Sequence, residues 1–168
     1  MTDAVNVDRR SGLGADVVCD LNQRPWPFPD NRFRMVLAFH VLEHLDDIVA
    51  TMEEIHRVCR PGAIVRIRTP HFSSPNAFTD PTHCHFFGYF TFHFFTGEHF
   101  HAFRDAPMFR RLATRISFAP TRFKIVNKLI GLIERAANRE PERYEKRFAG
   151  LFQAHELYSE LEVLKDPI

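Results

Sequence analysis

The chain has 168 residues, 45% of them hydrophobic, with 22 basic and 21 acidic side chains and a formal net charge of +1. One domain with a single core is expected from that length, and the balanced charge excludes an electrostatic case for nucleic acid or an anionic membrane surface. Cys19, Cys59 and Cys84 show no CxxC spacing, which points to reduced thiols and a cytoplasmic protein. No apolar run approaches the ~18–20 residues of a membrane span, and "MTDAVNVDRR" is too polar for a secretion signal. The basic cluster Arg110, Arg111, Arg115, Arg122, Lys124 and Lys128 reads as solvated faces.

In chain order, "AVNVD" (4–8) and "ADVVCD" (15–20) read as short strands, each ending on an aspartate. "LNQRPWPFPDNRF" carries three prolines and is a connector. "RMVLAF" (34–39) is a continuous apolar run, the pattern of a strand buried on both faces. "DDIVATMEEIHRVCRPG" is a helix: Ile48, Met52, Ile55 and Cys59 recur at helical spacing, Asp46 and Asp47 suit its start, and Pro61-Gly62 stops it. "AIVRIRTP" (63–70) is the next strand, so 34–69 forms a βαβ unit with parallel strands and a right-handed crossover.

Beyond Pro70 the alternation is lost. Eighteen phenylalanines and ten histidines are present, both concentrated between His71 and Phe103, where a loop and a short aromatic helix are expected. This segment reads either as core packing against the sheet or as a wall for an apolar or planar ligand. "RRLATRISF" (110–118) is a strand, and 122–138 is an amphipathic helix with Phe123, Val126, Ile130 and Ile133 on the side expected to pack, or to form a dimer face. Pro141 starts a further helix. "ELYSELEVLK" (156–165) alternates as a late, antiparallel strand.

The strand ends carry Asp8, Asp20, His40 and Thr69 with His71 close behind, and in an open α/β sheet ligands bind outside the carboxyl ends of the parallel strands. His83-Cys84-His85, His99-Phe100-His101, His93, His71 and Asp80 supply metal-ligand residue types, but no HExxH or CxxC signature is present. No metal site is assigned on that basis.

"DLN…PFPDN.F", "HVLEHL" and "EIHRVCRPG" together make residues 5–105 resemble the S-adenosylmethionine-dependent methyltransferases of Rossmann-like fold, in a branch acting on small molecules and glycans. The resemblance implies an α/β fold with a mostly parallel sheet and an antiparallel C-terminal strand. It implies one domain over 1–168, with a cofactor-side core at 5–70, an acceptor-side insertion at 71–108 and a strand-helix-strand tail at 109–168. S-adenosyl-L-methionine is the implied cofactor: Asp8 for the ribose hydroxyls, Asp20 and Leu21 beside the adenine, His40 at the methionine end. His40, His44 and His83 become the candidate catalytic groups, histidine being suited to take a proton near neutral pH. His71, Asp80, His83, Phe86 and Tyr89 become candidates for the acceptor, a small molecule or a glycan-linked group.

Two positions depart from the family. Arg34 stands where an acid is usual. The family's first strand, glycine-rich loop and first helix find no counterpart before Asp8, and Gly12-Leu13-Gly14 follows the ribose acid instead. Either the N-terminus is shortened, or this form binds cofactor poorly; in both cases self-association as a homo-oligomer could repair the sheet. The functional expectation is methyl transfer. The alternatives are a non-catalytic remnant or interaction module, and a histidine-rich metal-binding protein.

Overall fold

The computed structural model describes residues 4–12, 14–98 and 106–165. His99, Phe100, His101 and Phe103 lie outside the described residues. The described residues form two sheets. Strands β1 (Val7–Asp8) and β2 (Val17–Val18) pair in parallel; β3 (Phe33–Phe39), β4 (Cys59–Pro70), β5 (Phe109–Ser117) and β6 (Glu156–Val163) form a second sheet in the order β3-β4-β6-β5. β3 and β4 are parallel, with Val36 opposite Val65, and β6 runs antiparallel to both neighbours. The βαβ unit and the antiparallel last strand thus stand as the sequence pattern indicates. Among the described residues no strand joins β1 to β3.

The alternation of β4 and β6 sorts the second sheet into two faces. Ala63, Val65, Ile67, Leu157, Leu161 and Val163 are buried, and helix α1 (Ile48–Val58) adds Met52, Ile55 and Val58 to the same core. The opposite face is a charged ladder in which Arg66 pairs with Glu160 at 2.8 Å and Arg68 with Glu156 at 3.6 Å. This overturns the expectation that β3 is covered on both sides. Met35, Leu37 and Phe39 are paired beside Ile64, Arg66 and Arg68 on this ladder face and are 44%, 55% and 40% exposed, because no described element packs over them.

Helix α1 begins where its acids indicate. Asp47 is extended and its Oδ1 accepts from Ala50 N at 2.9 Å, an N-cap. It ends at Val58, earlier than Pro61-Gly62. Residues just before a proline are held out of the helical region, so the chain leaves α1 directly into β4. Asp47→Ala is expected to cost ~1 kcal/mol, read as a shift in urea midpoint with unchanged slope; no shift would mean that the cap is dispensable. The connector is fixed from α1. Arg57 donates to Glu54 (2.8 Å), Asp30 (2.6 Å) and the carbonyl oxygens of Phe28 (2.9 Å) and Trp26 (3.2 Å), which gives the "PFPDN" run a structural purpose.

The aromatic segment forms helix α2 (Asn76–Thr79) and a 3₁₀ turn at Thr91–Phe95. Phe87, Phe92 and Phe95 are buried, so core packing describes them. Helices α3 (Lys124–Arg139) and α4 (Pro141–Arg147) follow. The expected apolar side of α3 packs only in part: Phe123 and Val126 are exposed, Ile130 and Ile133 are half-buried, and Ala137 is buried. There Asn138 ties α3 to β5, donating to Ile116 O at 2.7 Å and accepting from Ile116 N at 2.8 Å. No helix among the described residues is long and apolar enough to cross a membrane.

Candidate active site

A cleft of about 550 Å³ opens where β3 and β4 end, lined by His40, Glu43, His44, Asp80, His83 and Glu156 together with Pro70, Asn76, Thr79, Pro81 and His155. β3 delivers the first wall. His40 has φ +53°, a left-handed conformation uncommon for a residue with a side chain, and is held by its N–H donating to Arg68 O at 2.8 Å. The next residues form a 3₁₀ turn, Leu42–His44. With three residues per turn, Leu42 and Leu45 point the same way, into the core, where both are buried. The turn leaves His44 partly exposed and buries Glu43, whose side chain is 2% exposed.

The second wall is the segment 80–85, which three contacts fasten to this turn. Cys84 N donates to Glu43 O at 2.7 Å, His44 Nδ1 meets Thr82 Oγ1 at 2.8 Å, and His85 Nε2 meets Asp46 O at 3.2 Å. Within the segment, Asp80 Oδ1 accepts from Thr82 N (2.8 Å) and Thr82 Oγ1 (2.7 Å). These two bonds, the hydroxyl first, hold the Asp80 carboxyl below the usual range. The rings of His44 and His83 meet edge to face at 4.7 Å.

Of the candidate residues, His40, His44, Asp80 and His83 come together at the cleft. His40 stands between two carboxylates, Nε2 at 3.0 Å from Glu156 Oε1 and Nδ1 at 3.3 Å from Glu43 Oε1. Both its nitrogens are engaged, so it shapes the cleft rather than offering a free base. His71 does not reach the cleft. It is fully buried, accepts from Ser73 N at Nδ1 (3.2 Å) and directs Nε2 to Glu145 (3.1 Å), bracing β4 against α4. Tyr89 also lies away from the cleft, its N–H donating to the same Glu145 oxygen at 2.5 Å. Phe86 stacks on Phe78 at 4.7 Å and is half exposed, outside the cleft lining. These three residues thus lie outside the lining of this cleft and are held by the contacts given. Glu43, His155 and Glu156 were missing from the candidates. Glu43 had a signal, an acid between two histidines in "HVLEHL"; the other two had none.

Asp8, Asp20 and Leu21 lie at the carboxyl ends of β1 and β2, outside the cleft lining. Cys19 N donates to Asp8 O at 3.0 Å, which brings the two strand ends side by side. Asp20 Oδ1 accepts from Asn22 N (3.0 Å), and Asn22 Oδ1 accepts from Asp46 N (3.0 Å), linking this edge to the start of α1.

The methyltransferase domain family matches residues 3–67, the segment holding β1 to β3, α1 and most of β4. Over that segment the chain is similar to methyltransferases. An uncharacterised methyltransferase of Schizosaccharomyces pombe is 51% identical over 39 residues, 23% of this chain and 14% of that protein. Among solved structures, an S-adenosylmethionine-dependent methyltransferase of Archaeoglobus fulgidus superposes with a TM-score of 0.56 at 20% identity, covering 94% of this chain and 75% of that one. One from Mesorhizobium loti gives 0.55 at 13%, covering 94% and 79%. The complex of the Haloferax volcanii Trm112 methyltransferase activator with its methyltransferase gives 0.52 at 19%, covering 89% of this chain and 61% of that one. At these identities the superpositions establish the fold.

S-adenosyl-L-methionine is the cofactor of this family. The residues present fit its ribose and base side. Asp8 has Oδ1 engaged by Arg10 N at 2.8 Å and a second oxygen to offer a diol. Gly12 and Gly14 have positive φ and open space around them, but they belong to the turn after Asp8 and begin no helix.

Proposed function

We propose that this chain serves S-adenosylmethionine-dependent methyl transfer to a polar acceptor, a small molecule or a glycan-linked group, seated in the cleft between His40 and His83. The observation that carries the reading is the position of the cleft, outside the carboxyl ends of parallel β3 and β4 in a methyltransferase fold. Its lining of imidazoles and carboxylates suits a hydroxyl or amine donor rather than an apolar ligand. The cofactor supplies an electrophilic methyl group when bound. Asp8 would hold the ribose, and Asp20 with Leu21 would flank the base. His40, fixed by Glu43 and Glu156, would border the methionine end. His44 and His83 would face the acceptor, where each can receive its proton through a bare ring nitrogen. Much of the acceleration then comes from aligning the acceptor with the methyl group.

Calorimetry with S-adenosylhomocysteine tests the reading: one binding event per chain is expected, and no heat together with no thermal shift would sink it. Asp8→Ala is expected to weaken that binding about tenfold or more, the worth of a charged hydrogen bond. Unchanged affinity would remove Asp8 from the site.

A further inference from the structure

Glu43, His44 and His83 each place one donor atom within 4.8 Å of the other two. Hydrogen bonding indicates which ring nitrogens are left free to bind a ligand. Ionised Asp80 takes the single proton of the Thr82 hydroxyl, so Thr82 Oγ1 can only accept from His44, which puts the His44 proton on Nδ1. His83 Nδ1 lies 3.1 Å from Ala77 O, a carbonyl that can only accept, so its proton is on Nδ1 as well. In the neutral form each ring therefore presents a bare Nε2. The third donor is Glu43, whose Oε2 is buried without any hydrogen-bond partner in a residue that lines the cleft. A buried carboxylate oxygen left without a partner is costly, and a cation is one of the few groups that can relieve it.

We infer that Glu43 Oε2, His44 Nε2 and His83 Nε2 form a binding site for a first-row divalent cation, zinc by preference, at the base of the cleft. Two imidazoles and one carboxylate are a donor set these ions take, with further positions left for water or a ligand oxygen. Bonds of ~2.0–2.2 Å place neighbouring donors ~3–3.5 Å apart, so binding draws together donors that lie within 4.8 Å of one another. The outer contacts suit this. Asp80–Thr82 orients His44 and the Ala77 carbonyl orients His83, the arrangement that fixes tautomer and ring plane in metal sites. The three donors come from two chain segments, and the Cys84 N–Glu43 O bond clamps those segments together. In the loaded site the two Nε2 atoms are ligands and no longer proton acceptors, and the ion would instead acidify a coordinated acceptor hydroxyl. The site itself rests on geometry alone and needs neither cofactor nor acceptor.

The test uses the full chain prepared without an affinity tag, stripped with chelator and titrated with Co²⁺ by absorption and with Zn²⁺ by calorimetry, both without S-adenosylmethionine. One equivalent of either ion is expected, with cobalt d–d bands free of sulfur charge transfer. Glu43→Gln and His83→Ala should each weaken binding at least about tenfold, and Thr82→Val, which leaves every donor atom in place, by about tenfold. His155→Ala and Cys84→Ser should bind as the parent does. The inference is overturned if the parent takes up no stoichiometric ion, if folded His83→Ala binds as tightly as the parent, or if Cys84→Ser abolishes binding. Because His83 is half-buried, its alanine variant is expected to fold, and it decides between these outcomes even if the Glu43 variant does not fold. Failure here leaves the cofactor titration, and with it the transferase reading, untouched.

Discussion

Replacing Glu145 with alanine is expected to destabilise the fold by ~2–4 kcal/mol, the cost of leaving two buried hydrogen-bonding groups without a partner. One Glu145 oxygen receives both the Nε2 proton of fully buried His71 and the N–H of Tyr89. It joins three parts of the chain: the end of β4, the aromatic segment and α4. Gly88 lies against the same carboxylate, where an added Cβ would stand 3.0 Å from Oε1. Glu145→Gln keeps an acceptor and should lose clearly less. Urea unfolding of the three proteins gives the comparison. A loss below ~1 kcal/mol for the alanine variant would show that water meets these groups as well as Glu145 does.

His83→Ala is expected to lower turnover ~10²–10⁴-fold, the range for removing a group that handles the acceptor's proton. The affinity for S-adenosylhomocysteine should stay within about twofold, since the ring lines the cleft and not the ends of β1 and β2. Release of S-adenosylhomocysteine in the presence of polar hydroxyl and amine acceptors gives the rate; the titration gives the affinity. Unchanged turnover would take His83 out of the reaction. A parallel loss of cofactor affinity would move it to the cofactor edge. His40→Ala should behave differently. It removes the imidazole shared by Glu43 and Glu156 and leaves alanine in a left-handed conformation, so its effect should include stability.

The parts of the fold legible in the sequence are those governed by local periodicity. The apolar stripe of α1, its Asp47 cap and the alternation of β6 are set by neighbours three, four or two positions away, and each appears at its expected place. Where burial depends on distant elements, local pattern misleads. "RMVLAF" reads as doubly buried, yet Met35, Leu37 and Phe39 face the open ladder side; α3 is strongly amphipathic, yet Phe123 and Val126 at the start of its apolar stripe are exposed. The same division runs through the candidate site. His40 and His44 were legible because they follow a strand end directly. His71, two residues after Thr69, invited the same inference and is instead sealed under α4 by Glu145, a residue far along the chain.

The sequence by itself determined the methyltransferase fold, the βαβ unit and the strand ends that carry Asp8, Asp20 and His40, because these follow from short-range pattern and from motifs contiguous in the chain. Only the tertiary structure decided which histidines share a cleft and which way their ring nitrogens face. Those facts depend on segment 80–85 folding back onto the 42–46 turn, through hydrogen bonds between residues nearly forty positions apart.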